Sequence, residues 1–181
     1  ANRMMLHLYR KVIPKISHDV VRFLRSREYA EIEDTQVIEA ELDLSTVMVD
    51  YMNKEDRINQ EAKAGLQRRH LSPDRYAMVK KSIAEVREFP LANDGIGFVT
   101  GQVLEALFDS ANVEEIYGSD DELKEVVAEV LAKHLELDEE IDRNVRAALR
   151  NVPEGSSAFE AEYQRRAREL KRRAERAKHD N

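Results

Sequence analysis

Five histidines, His7, His18, His70, His134 and His179, are the first residues here with the chemistry of a metal ligand or a general base. None stands in an H-E-x-x-H pattern, and none has a second histidine three or four residues away, the spacing that puts two imidazoles on one helical face. His134 falls on an apolar helical face and reads as a half-buried structural imidazole. His18-Asp19 has the types of a base and its orienter, but neighbours on a helix point about 100° apart, so the pair reads as surface. The acidic clusters Asp120-Asp121-Glu122 and Asp138-Glu139-Glu140, with Glu154, have the oxygens for a hard cation or for acid–base work. Each stands at an expected helix start, where negative charge meets the helix dipole at roughly 0.3–1 kcal/mol, so capping is the reading taken. No EF-hand loop, phosphate-binding glycine loop or nucleophile elbow is present. Gly95-x-Gly97-x-x-x-Gly101 has the wrong spacing for a dinucleotide site; Gly97 and Gly101 read instead as permitting close helix–helix approach. With no cysteine, disulfides, thiolate metal sites and thiol catalysis are excluded. The expectation is no catalytic residue, no metal, no cofactor and no enzymatic activity.

The charges are segregated. Residues 1–90 carry 16 basic and 15 acidic side chains, residues 91–163 carry 5 and 18, and residues 164–181 carry 8 and 3. An acidic body ending in a basic arm is a feature made for a partner. In the arm, Arg165, Arg166, Arg168, Arg172, Arg173 and Arg176 are the candidate contacts to a protein or to nucleic acid phosphates. At 100° per residue, Phe159, Tyr163, Ala167, Leu170, Ala174 and Ala177 share an arc of about 80° while Arg165, Arg172 and Arg176 lie opposite. That stripe thins from aromatic to alanine, so the first half of this helix is expected to dock and the second half to project or fray. The arm has no aromatic side chain for base stacking. A solvated or self-paired face, a protein partner and nucleic acid all stay open for it.

Six glycines and four prolines in 181 residues favour long helices. Ile16, Val20 and Leu24 form a one-sided stripe behind Pro14, on a helix to about Arg27. A helix opened by Asp34 or Thr35 carries Ile38, Leu42, Ser45, Val49 and Met52 on one side and Leu44, Met48 and Tyr51 on the next, which predicts a central element. It is expected to break or bend near Asn53–Asp56, with Ile58, Ala62, Gly65 and Leu66 continuing. Ser72-Pro73 opens a helix carrying Tyr76, Val79, Ile83 and Val86, which ends before Pro90. After a joint at Phe89–Gly95, with Asn93 or Asp94 as cap, Ile96, Val99, Val103 and Leu107 restart the first pattern. Ser119 and Glu122 form a capping box, Asp138 caps a further helix, and Ser157 with Glu160 forms a second box. Tyr29–Ile32 and Val113–Tyr117 read as loop or brief extended pieces.

Val47–Leu66 returns 83 residues later as Val130–Leu149, pairing Met48 with Leu131, Ile58 with Ile141, Ala62 with Val145, and Glu55-Asp56 with Asp138-Glu139. The reading is an internal duplication, with these acids capping a repeated helix junction. The expected fold is all-α, a helical bundle of about seven to eight helices built from two pseudo-repeated halves. The expected divisions are 1–90, an acidic 91–163, and a basic arm 164–181.

The stretch Val152-Pro-Glu-Gly-Ser-Ser-Ala-Phe-Glu-Ala-Glu-Tyr163 resembles the C-terminal signature of a bacterial domain-of-unknown-function family, number 507 in its series. Asp138–Arg146 and Lys11–Val21 are similar to it too, and the resemblance spans nearly the whole chain in a longer, two-copy form. Phe159 stands where members often carry Trp. The resemblance implies a bacterial source and a helical fold, and no activity. No apolar run approaches the roughly 20 residues that span a bilayer, and no basic-then-apolar leader pattern opens the chain, so a cytoplasmic location without membrane contact is expected. The expected function is a non-enzymatic protein–protein interaction or scaffold module, binding a protein partner or itself. The alternative is a nucleic-acid- or ribosome-associated factor acting through the arm.

Overall fold

A computed structural model describes residues 8, 10–90 and 94–180. His7 and the expected cap Asn93 lie outside them. The protein is all-α. Among the described residues six α-helices, α1 (Ile13–Ser26), α2 (Val37–Arg68), α3 (Tyr76–Val86), α4 (Asp94–Asp109), α5 (Asp120–Ala148) and α6 (Ser157–His179), are joined by two 3-10 turns at Asp34–Gln36 and Pro73–Arg75. Two-residue strands, β1 (Ala30–Glu31) and β2 (Glu115–Ile116), pair antiparallel with Ala30 opposite Ile116. They fall in the two segments that the sequence leaves between loop and strand.

The break expected at Asp138 does not occur, and of the break or bend expected near Asn53–Asp56 no break occurs. α2 runs through Asn53–Asp56 and α5 through Asp138. The physical reason is in the stripe itself. Leu44, Met48, Tyr51, Glu55, Ile58 and Ala62 recur every three or four residues and are all buried, as are Leu131, Leu135, Asp138, Ile141 and Val145. A carboxylate occupies one slot of each apolar stripe, and no glycine or proline interrupts either helix there. Glu55 and Asp138 are therefore buried mid-helix acids, and the reading of them as caps is corrected.

The chain divides into two compact units, Ala1–Glu55 with Pro90–Glu136, and Asp56–Phe89 with Leu137–Asn181. Each takes one segment from either copy of the repeat. In the first, α1 buries Ile16, Val20, Val21 and Leu24; α4 buries Val99, Val103 and Leu107; and α5 buries Leu123, Val126 and Val127. In the second, Ile141, Val145, Leu149 and Phe159 form one cluster and Ala62, Leu66 and Tyr76 another. Two expectations about packing fail. Ile38 and Leu42 are 69% and 53% exposed, so only the Leu44–Met48 side of early α2 is core. A Cβ added at Gly97 or Gly101 would meet nothing within 4 Å, so these glycines permit no close helix contact among the described residues.

Helix ends follow local chemistry. α1, α2 and α3 stop at Glu28, His70 and Glu88, which hold left-handed φ of 58°, 52° and 53°. The next amide bonds back in each case, Tyr29 to Leu24, Leu71 to Leu66 and Phe89 to Ala84, all at 2.9 Å. This is the closing geometry in which glycine is usual, so no residue type announced it. The Ser119 box forms as expected, with the Ser119 amide on Glu122 at 3.0 Å and the Glu122 amide on Ser119 Oγ at 3.3 Å. The second box does not form. Ser156 caps α6 by accepting from the Phe159 amide, and Glu160 pairs with Lys63 at 2.6 Å. Ser119→Ala should therefore cost about 1 kcal/mol in urea unfolding, and Ser157→Ala within about 0.5 kcal/mol of nothing.

Candidate interaction surface

The signature residues around the α5–α6 turn converge on Arg146. Its Nε donates to both oxygens of Asp142 at 3.1 Å, its Nη1 reaches Glu154 at 3.0 Å, and its guanidinium stands 5.9 Å from the Phe159 ring centre and 5.8 Å from that of Tyr163. The Tyr163 hydroxyl bonds Asp142 as well. Burial disfavours the Arg146 charge, but Glu154 and Asp142 outweigh it and raise its pKa. Gly155 is required for space. A Cβ there would lie 2.9 Å from Leu66 and 3.0 Å from the Pro73 carbonyl oxygen. The Pro-Glu-Gly-Ser turn thus supplies a bend, an acid for Arg146, a gap against α2 and a cap for α6. It is a structural joint.

The arm is helical to His179, docked as far as Leu170 and mostly exposed beyond it. Tyr163, Ala167 and Leu170 pack on the Ile141 cluster, whereas every residue from Glu175 to Asp180 is exposed. Of the six candidate arginines, three are ion-paired within the helix, two of them to one carboxylate. Arg165 reaches Glu162 at 2.8 Å, Arg166 the same carboxylate at 3.6 Å, and Arg173 reaches Glu169 at 2.6 Å. Arg168 bonds the Gln164 carbonyl at 3.2 Å. Arg172 and Arg176 are exposed and make no ion pair among the described residues. Lys171 turns back to buried Asp138 at 3.7 Å.

The histidine expected at half-burial has a specific partner. His134 Nε2 lies 2.6 Å from Asp19 Oδ2, and Lys133 and Arg22 also face Asp19, at 3.5 and 3.3 Å. The sequence reading set Asp19 beside His18 and on the surface. Instead Asp19 is buried and crosses to α5, while His18 bonds Glu41 at 2.9 Å. A signal existed, since Asp19 stands about 60° from Ile16, at the edge of the stripe, but only packing shows its partner. Burial pushes the Asp19 carboxyl up, and the His134 hydrogen bond with the Lys133, His134 and Arg22 charges outweighs it, so the pKa is lowered. No hydroxyl bonds the other ring nitrogen of His134 among the described residues, and the pair acts as a tie between α1 and α5.

An open apolar groove of about 720 Å³, which the sequence did not announce, runs between the end of α2 and α3. Glu61, Ala64, Gly65, Arg68 and Arg69 line it from α2, Leu71 closes one end, and Met78, Val79, Ser82 and Ile83 line it from α3. Small residues on α2 leave the width, and Met78 is 54% exposed on the rim. Glu61 is matched by Arg87 at 2.5 Å, whereas Arg68 and Arg69 make no ion pair among the described residues. No helix of the described residues is long and apolar enough to cross a membrane.

The family model described as "Protein of unknown function (DUF507)" matches residues 5–174. No curated protein matches the chain.

Two outcomes follow from the joint and the tie. Gly155→Ala should destabilise by roughly 1–3 kcal/mol, because a backbone oxygen on the opposing wall cannot step aside; thermal unfolding measures it. Asp19 contributes stability that is full above the unfolded aspartate pKa of about 3.9 and is lost as pH falls through its lower folded value. Asp19→Asn should therefore cost roughly 1.5–3 kcal/mol at pH 7 and progressively less below about pH 4, read from urea midpoints across pH 2–7.

Proposed function

We propose that this chain, which belongs to the DUF507 family, is a non-enzymatic module that binds a protein partner through the α2–α3 groove. The observation that carries this reading is the groove itself, an apolar concavity with exposed Met78 on its rim and uncompensated cations at one end. Exposed apolar surface that is concave and flanked by charge is what helical recognition sites present. The reading places the protein in the bacterial cytoplasm, supported by the family resemblance; among the described residues no helix is long and apolar enough to cross a membrane.

Arg172, Arg176 and Lys178, exposed and unpaired among the described residues, favour a second reading, a nucleic-acid-associated factor acting through the arm. In-helix pairing of Arg165, Arg166 and Arg173 weakens it.

Ser82 is exposed and lines the groove, so Ser82→Trp fills it without touching the core. A protein that co-purifies with the tagged chain from native extract should be lost with Ser82→Trp, while circular dichroism stays unchanged. Capture of nothing, neither a foreign protein nor an untagged copy of the chain, or capture indifferent to the tryptophan, refutes the groove reading. For the arm, fluorescence anisotropy with RNA and DNA at low salt should show binding that Arg172→Glu with Arg176→Glu abolishes; no binding at low salt removes that reading.

A further inference from the structure

We propose that the occupant of the α2–α3 groove is a second copy of this chain, entering with the exposed face of early α2. The proposal rests on the reading of the groove as a docking site and names what docks there.

The groove asks for an apolar helix with acidic flanks. On α3, Met78, Ser82, Val86, Val79 and Ile83 fall in that angular order within an arc of about 140°. Val86, 85% exposed, therefore continues the apolar wall one turn past the lined cavity. On α2, Arg57 lies on the same stripe as Ala64 and Arg68; it is exposed and makes no ion pair among the described residues. Since Arg87 neutralises Glu61, and exposed Lys81 and Glu85 offset each other on the outer edge of α3, Arg57, Arg68 and Arg69 leave the rim positive. Both walls are helices whose backbone groups are already bonded, so an extended peptide would gain no ladder here. A helix brings its own hydrogen bonds satisfied.

Early α2 has the matching chemistry. Ile38, Val49 and Leu42 fall within an arc of about 40°, and Ile38 and Leu42 are the exposed apolar residues that the core does not use. Glu39 and Asp50 flank that arc together on one side, both exposed and neither in an ion pair among the described residues. The face from residue 38 to 50 and the groove wall from 57 to 69 each span about 18 Å at 1.5 Å per residue. The face belongs to one compact unit and the groove to the other. Every copy of the chain therefore carries both halves of the contact, and the face of one copy can enter the groove of another.

Sedimentation equilibrium and light scattering on the full chain, from micromolar to several hundred micromolar, test this. The average mass should rise above the 20.9 kDa of one chain with concentration and fall again in high salt. Leu42→Lys spoils the face, and Arg68→Glu with Arg69→Glu spoils the rim; all three sites are exposed, and circular dichroism checks that each variant folds. Each variant alone should associate at least about tenfold more weakly. Mixing the two should restore association, because the mixture again holds one intact face and one intact groove. A mass of one chain at every concentration overturns the proposal, as does self-association that neither variant weakens. If a foreign protein is still captured in the Ser82→Trp-sensitive manner, the docking reading stands and only the identity of the occupant is lost.

Discussion

A carboxylate set into the apolar stripe of a long helix has to find a cation or a donor, and this structure depends on its doing so. Asp138 takes Lys171 from α6, and Glu55, its equivalent in the other copy of the repeat, is engaged as well. Burial of an unmatched carboxylate would cost several kcal/mol. Matched, each acid lets its helix continue, so α2 and α5 run 32 and 29 residues without a break. The boundaries between the compact units fall inside those same two helices. Asp19, held by His134, is a third case of the same constraint.

The repeat solves one joint twice with different side chains. Asn59 and Asp142 are equivalent, as are Tyr76 and Phe159. In the first copy the Tyr76 hydroxyl donates to Asn59 at 2.8 Å. In the second, Asp142 serves Tyr163 and Arg146, and the guanidinium lies over two rings. Tyr51 and His134 diverge in the same way. One bonds the Pro90 carbonyl at 3.3 Å and the other bonds Asp19. Burial raises the Tyr51 pKa, with the Glu55 charge adding to it, so its hydroxyl stays protonated as a donor. The second joint is closed by Phe159 and Tyr163 with a long helix behind them. The first is built from a shorter α3 with small residues opposite, and there the groove stays open.

The signature residues that carry the family resemblance serve folding. Glu154, Gly155 and Ser156 each have a structural duty, as do Arg146 and Phe159. Exposed side chains without a partner among the described residues lie elsewhere, on α3, on the outer side of early α2 and on the last turns of α6.

By itself the sequence determined the helical class, the duplication, the Ser119 cap and the stripe that docks α6 as far as Leu170. These follow from local periodicity and from side chains acting on their own backbone, which a linear pattern records. It also marked the two segments that pair as β1 and β2. Tertiary structure alone decided the rest. A charged residue in an apolar stripe reads as a break until its partner is known, so the continuity of α2 and α5 was hidden. Asp19 and His134 are 115 residues apart, and nothing local links them. The six arginines were legible as a basic face, but their division into paired and unpaired depends on rotamers and packing. The groove was invisible for the same reason: a concavity is a relation between two helices, and the same apolar residues would have read as core had anything covered them.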